Sequence, residues 1–427
     1  MSTTEELLQR RYRVLGRGSP LFYDKPLHLV RGEGVWLYDA DGRRYLDAYN
    51  NVPHVGHCHP HVVEAIARQA ATLNTHTRYL HEGIVRYAER LTATFDPELT
   101  MMFLACTGSE ANEIAMRMAT VCTGHRGIIC TRFAYHGNTT AVAQISTVFP
   151  PPEGTGEHIR AVPVPDSYRD PRDAAGALLP DAWLRSIESA CESLRASGQG
   201  VAAILVDTIF SSEGLPELPP EFMTKAVEIV RRAGGIYIAD EVQPGFGRTG
   251  AHMWGYQRYG VVPDVVTLGK PMANGHPVSG VVARAELATE FARRVMYFNT
   301  FGGNPVSCAA AEAVLDVLEK ERLQENARVV GDYALAGLRR LMSKHDLIGD
   351  VRGRGLFFGA ELVKDRRSRT PATDETRRIV NTMREHGVLI SRIGVHDNVL
   401  KIRPPMPFSK DNADLLLSTL DDALRGA

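Results

Sequence analysis

Between about residue 60 and about residue 310, short apolar runs alternate with stretches in which apolar residues recur every three or four positions. The runs Met101–Leu104, Gly127–Thr131, Ala202–Asp207, Gly235–Ala239, Val265–Leu268 and Val278–Val282 predict strands of a buried sheet. Helical periodicity covers Ala111–Val121, Glu221–Ala233 and Pro305–Glu319. Strands alternating with helices predict an α/β fold built on a mostly parallel sheet flanked by helices. Residues 28–48 follow another rule. Val35-Trp36-Leu37-Tyr38, the turn Asp39-Ala40-Asp41-Gly42 and the return Arg44-Tyr45-Leu46-Asp47 predict a hairpin. Residues 150–181, rich in Pro, Gly and Asp, predict a long excursion over the surface. Beyond residue 320, two amphipathic helices flanking Leu347–Leu362 predict a small α+β unit that packs with the hairpin. The expected division is an N-terminal segment with the hairpin over 1–59, a large domain over 60–310 and a small C-terminal domain over 311–427.

A chain of 427 residues with 44% hydrophobic and 23% charged residues has the composition of an ordinary globular protein. Its net charge of -1 argues against a nucleic-acid or membrane-surface partner. No apolar stretch approaches the length of a membrane span. The segment Met1–Arg10 has early acids and no apolar core, unlike a secretory or transit segment. The six cysteines show no paired metal spacing, and Cys58 between His57 and His59 is more simply read as packing. The expectation is a reduced, metal-free, cytoplasmic protein.

Two strand ends carry the chemistry. Ile236-Tyr237-Ile238-Ala239 runs into Asp240, and Val265-Val266-Thr267-Leu268 runs into Gly269-Lys270-Pro271. A carboxylate directly after a buried strand is expensive unless it meets a cation. A lysine amine can condense with an aldehyde, and an acid can keep a pyridine nitrogen protonated so that the ring accepts electrons. Those are the requirements of pyridoxal 5'-phosphate. The chain holds only eight lysines, so the search for the reactive amine is short. Ala105-Cys106-Thr107-Gly108-Ser109-Glu110-Ala111-Asn112 leads from a strand into a helix, whose free N–H groups suit a phosphate. An ordinary Ser or Thr cap gives the same pattern. Tyr135, after the next strand, can stack on a flat ring or simply pack. Gln243 can hydrogen-bond a phenolic oxygen of the cofactor.

Gly-Ser-Glu-Ala-Asn from Gly108, Tyr135-His136-Gly137, Asp240-Glu241-Val242-Gln243, Gly269-Lys270-Pro271 and Thr300-Phe301-Gly302-Gly303-Asn304-Pro305, in that order, resemble the class III aminotransferases of PLP fold-type I. The resemblance spans nearly the whole chain. It implies that Gly108 and Ser109 hold the cofactor phosphate, that Tyr135 stacks on the ring and that Asp240 pairs with the pyridine nitrogen. It makes Lys270 both the cofactor's covalent anchor and the proton shuttle. It also implies a homodimer with shared active sites, alone or as a dimer of dimers, in which Thr300 reaches the cofactor phosphate of the neighbouring subunit.

Two departures narrow the resemblance. Where that family carries Leu-Arg-Ile before a Pro-Pro pair, this chain has Leu400-Lys401-Ile402-Arg403-Pro404-Pro405. A lysine is a point charge rather than a carboxylate-gripping fork, which makes a phosphate plausible. The usual Glu-Pro after the central strand is Asp207-Thr208. Asn50–Pro60, Leu73–His81, Pro165–Arg169 and Arg369–Thr373 resemble the phospho-lyases acting on O-phosphoethanolamine and their relatives acting on 5-phosphohydroxylysine. The resemblance implies phosphate elimination from a small phosphorylated amine, with conventional amine transfer as the alternative. Arg78, Lys401 and Arg403 are the candidate ligands of the substrate phosphate, with Asn50 and Asn51 behind them. Arg352 and Arg354, in a glycine-rich turn, are expected to be structural.

Overall fold

The computed structural model describes residues 3–426 except 175, 177 and 180. Its central feature is a seven-stranded sheet in the order Leu99–Ala105, Ser279–Arg284, Val265–Leu268, Ile236–Asp240, Val201–Asp207, Gly127–Thr131, Ile159–Val162. Ser279–Arg284 runs antiparallel to both neighbours, and the other pairings are parallel. This is the α/β class that the alternating pattern predicts. Val201–Asp207 and Val265–Leu268 are buried at every position, which is why they read as unbroken apolar runs. Helices Gly108–Thr123, Pro220–Arg232 and Ala285–Arg294 cover the sheet, each burying an apolar stripe.

A four-stranded sheet joins Leu29–Glu33, Trp36–Asp39 and Arg44–Asp47 to Val388–Leu389 from far along the chain. The hairpin therefore shares a sheet with the C-terminal third. A five-stranded sheet holds Ile348–Arg354, Phe357–Asp365, Val399–Ile402 and Ser391–Ile393, with Thr370–Pro371 at its side.

Two expectations need correction. The segment 150–181 is not only a surface excursion, because Ile159–Val162 inside it forms the sheet's edge strand. Beyond residue 320 there are three helices, Leu323–Lys344, Thr373–Glu385 and Lys410–Arg425, not two. Strands between them interrupt the periodicity that would have separated the last two. Helix Thr4–Leu15 buries no residue, so apolar patterning gave no warning of it. Among the described residues no helix is long and apolar enough to cross a membrane.

Candidate active site

Parallel strands deliver their C-terminal ends to one side of a sheet, where ligands of open α/β folds bind. Register pairs Asp207 with Asp240 and Asp240 with Thr267, so the acid and Lys270 arrive together. Asp240 is buried. Its Oδ2 accepts from His136 Nδ1 at 2.7 Å and Asn112 Nδ2 at 3.0 Å, and its Oδ1 accepts from Val242 N at 3.0 Å. Burial alone would raise its carboxyl pKa, but these donors and the His136 charge outweigh it and hold the value below the ordinary one. Burial likewise pulls His136 down, and Asp240 overrides it, leaving that imidazole above its usual value. Asn112 is itself anchored, its Oδ1 accepting from Thr267 Oγ1 at 2.7 Å.

The turn before helix Gly108–Thr123 settles which residue caps it. Thr107 Oγ1 accepts from Glu110 N at 3.2 Å in a capping box, so Ser109 is not the cap. The first bond closing the helix runs from Ala111 N to Thr107 O at 3.0 Å, leaving the N–H groups of Gly108 and Ser109 ahead of it. Asn138 N donates to Ser109 Oγ at 3.2 Å. Gly137 has φ of +143°, and a Cβ there would collide with Ser109, so glycine alone lets the two segments meet.

Gly137 and Asn138 border a cavity of about 610 Å³ that Tyr49, Tyr135, Gln243, Lys270, Lys401 and Arg403 also help to line. Lys270 Nζ lies 6.0 Å from the Tyr135 ring centre. Burial, reinforced by the Arg403 charge, lowers the Lys270 amine from its ordinary value, while Asp240 and Asp207 oppose the shift. Lys401 pairs through its strand with Gly359 and Ser391, and burial pushes its amine far down. Arg403 lies 5.2 Å from both the Tyr49 and Phe357 rings. Its Nε donates to Tyr49 O at 3.2 Å, and its Nη1 donates to Gln243 Oε1. Among the described residues, none of Lys270, Lys401 and Arg403 forms an ion pair with a carboxylate.

Pyridoxal 5'-phosphate fits what is present. A half-exposed aromatic and a lysine with a lowered pKa line one cavity, the segment that packs on the helix start with its two unspent N–H groups lines it too, and a buried ionised carboxylate ends the strand next to the lysine's own.

Other candidates lie elsewhere. Asn51 is buried, and its Nδ2 has no partner. Arg78 is exposed, 5.5 Å from the Phe298 ring, and is not among the residues lining the Lys270 cavity. Thr300 is exposed in the following turn, near the exposed Met296, Phe298 and Phe301. His57 and His59 bond Asp47 and Glu321, and Cys58 is exposed. Arg352 joins Glu361 at 2.6 Å and Gly214 O at 2.6 Å in a fold-holding network. Arg169 and Arg369 exchange hydrogen bonds through their backbone carbonyls at 3.1 and 3.3 Å, which joins the two distant motifs that carry them. The sequence reading missed Asn112, His136 and Ser211 as partners of site residues. Asn112 stands in the quoted motif four residues after Gly108, one helical turn on, and that spacing was the available signal.

The class III aminotransferase family model matches residues 22–424. An alanine–glyoxylate aminotransferase 2-like protein of Drosophila melanogaster is 44% identical over 96% of this chain and 85% of its own length. An ethanolamine-phosphate phospho-lyase homologue of Caenorhabditis elegans is 38% identical over 98% of this chain and 93% of its own. A solved phospholyase from Arthrobacter, in complex with phosphoethanolamine, is 49% identical, with a TM-score of 0.96 over 99% of this chain and 100% of that one.

Proposed function

This chain belongs to the class III aminotransferase family, and within it we propose that it eliminates phosphate from O-phosphoethanolamine, yielding acetaldehyde, ammonia and inorganic phosphate. The observation that carries the reading is Lys401, a buried amine with no ion-pair partner among the described residues, lining the same cavity as Arg403 and Lys270. Lys401 and Arg403, two buried basic groups facing one cavity without an ion-pair partner among the described residues, offer a substrate phosphate several donors and a place for its negative charge. The phosphoethanolamine bound in the Arthrobacter phospholyase is a ligand of the required kind.

When bound, pyridoxal 5'-phosphate supplies an electron-accepting ring conjugated to the substrate amine. Gly108 and Ser109 would hold its phosphate through their N–H groups, and Tyr135 would lie on its ring. Asp240, kept ionised by His136 and Asn112, would hold the proton on the pyridine nitrogen. Lys270 Nζ would take the proton from the substrate carbon that bears the amine. Burial favours its neutral form, the one able to accept a proton. Lys401 Nζ and the remaining Arg403 donors would hold the ester phosphate. The C–O bond then breaks, phosphate leaves with the electron pair, and water converts the released vinylamine to acetaldehyde and ammonia. No keto acid takes part.

We also infer a homodimer, in which Thr300 and Arg78 serve the partner's cavity from the exposed face they share. A second reading, amine transfer to a keto acid, draws on the Drosophila relative's name, and Lys401 in place of the carboxylate-gripping arginine speaks against it. Elimination from 5-phosphohydroxylysine would use the same residues on a longer substrate.

The test is release of phosphate and acetaldehyde from O-phosphoethanolamine by the cofactor-loaded protein with no keto acid present. Equal release of both supports the lyase. Amine transfer to pyruvate or glyoxylate, with no phosphate set free, would overturn it.

A further inference from the structure

Gln243 sits in a chain of hydrogen bonds with a charged group at each end. Arg403 Nη1 donates to Gln243 Oε1, Gln243 Nε2 donates to Ser211 Oγ, and Ser211 Oγ donates to Asp207 Oδ2. Asp207 is fixed in turn by Ile209 N, which donates to its Oδ1 at 2.9 Å. Arg403 is fixed by Tyr49 O and by the flanking rings of Tyr49 and Phe357. All four side chains are buried.

An amide can ordinarily turn over and exchange its donor for its acceptor. Here it cannot do so without loss. A guanidinium has no acceptor, so the atom facing Arg403 must be the carbonyl oxygen. The amide nitrogen must then face Ser211, whose own proton goes to Asp207. One N–H of Gln243 is left for the cavity that Gln243 lines.

We propose that Arg403 is a positioning residue that locks Gln243 as a hydrogen-bond donor toward the cofactor's phenolic oxygen. This rests on the placement of Gln243 beside that oxygen, part of the site reading above. A donor there draws charge off the oxygen and weakens its hold on the proton of the adjacent Lys270 nitrogen. The device uses Asp207 as its acidic end, where the family's usual pattern has Glu-Pro. It also assigns Arg403 a task that does not depend on which phosphorylated amine is bound.

Arg403 also acts at a distance, since its charge lowers both Lys270 and Lys401, while Asp207 pulls each of them the other way. A bare field effect is therefore the competing explanation, and a double-mutant cycle separates the two. The experiment is a pH titration of the visible absorption band of the cofactor-loaded protein, without substrate, in wild type, Arg403→Met, Ser211→Ala, Gln243→Leu and the double variants. Gln243→Leu should raise the midpoint by roughly half to one pH unit, the size of one neutral hydrogen bond. Arg403→Met should raise it by a similar amount, and Ser211→Ala by less. Neither should add anything in the Gln243→Leu background. If Arg403→Met raises the midpoint equally with and without Gln243, the charge acts directly and the proposal is overturned. A midpoint unmoved by Arg403→Met and Ser211→Ala, with Gln243→Leu effective, overturns it too. An ineffective Gln243→Leu would instead sink the placement of Gln243, and the proposal with it. Phosphate release enters none of these readouts, so failure of the lyase reading would leave them intact.

Discussion

Asp207 and Asp240 are register partners at the ends of adjacent parallel strands, yet their carboxyls shift in opposite directions. Burial and the Asp240 charge raise Asp207, whereas burial of Asp240 is outweighed by His136 and Asn112, which lower it. Two acids side by side are thus kept distinct by their hydrogen-bond partners. Asp240, whose charged form is the more strongly favoured, is the one suited to hold a proton on a pyridine nitrogen. Asp240→Asn should lower kcat on O-phosphoethanolamine by on the order of 10²–10³-fold, as loss of an aimed charge does. A variant within threefold of wild type would show that this carboxylate is not needed.

Lys270 carries the proton transfer as well as the attachment. Lys270→Ala should lose at least about 10³-fold in turnover. After borohydride reduction, its intact mass should show no added cofactor, whereas the wild type should gain it. Cofactor mass on the variant would move the attachment to another of the eight lysines.

Lys401 is costly to the fold and useful only to a ligand. Burial, then the charges of Arg403 and Lys270, disfavour the ammonium form of Lys401 against the weaker pull of Asp207 and Glu213, so the side chain gives up in the native state a charge that it keeps in the unfolded chain. Lys401→Met keeps the stem volume and removes the charge. We expect the melting temperature to hold or rise while KM for O-phosphoethanolamine increases about 10- to 100-fold, the value of a hydrogen bond to a charged group. A drop of several degrees with KM unchanged would make Lys401 a structural residue.

Much of this was legible in the chain. Val201–Asp207 and Val265–Leu268 announced themselves because strands covered on both faces leave no polar alternation. Asp240 and Lys270 were legible because a charge at the end of such a strand requires a partner. Ile159–Val162 was not, since an edge strand inside a Pro- and Gly-rich stretch lacks both long periodicity and flanking contrast. The relay from Asp207 through Ser211 and Gln243 to Arg403 was not legible either. Its last link joins residues 160 positions apart, and only the meeting of the large sheet with the C-terminal sheet creates it.

Glu213 sets a pH dependence of stability near neutrality. It is buried, with Oε1 accepting from Thr131 Oγ1 at 2.6 Å and Oε2 from Ser212 N at 3.1 Å. Burial first, then the Asp207 charge, push its carboxyl up from 4.5 to about 7. The native state therefore holds a proton that the unfolded chain has already shed in this interval. By linkage, its contribution is fully present below pH 4.5 and is lost as pH rises through about 7. Glu213→Gln replaces the protonated acid with a neutral group of the same shape, so it should cost little near pH 5. Near pH 8 the variant should melt several degrees above wild type, because only the wild type then carries a buried charge beside Asp207. Thermal melts of the cofactor-loaded proteins at both pH values decide it. An equal gap between the two proteins at pH 5 and pH 8 would mean that this carboxyl titrates normally.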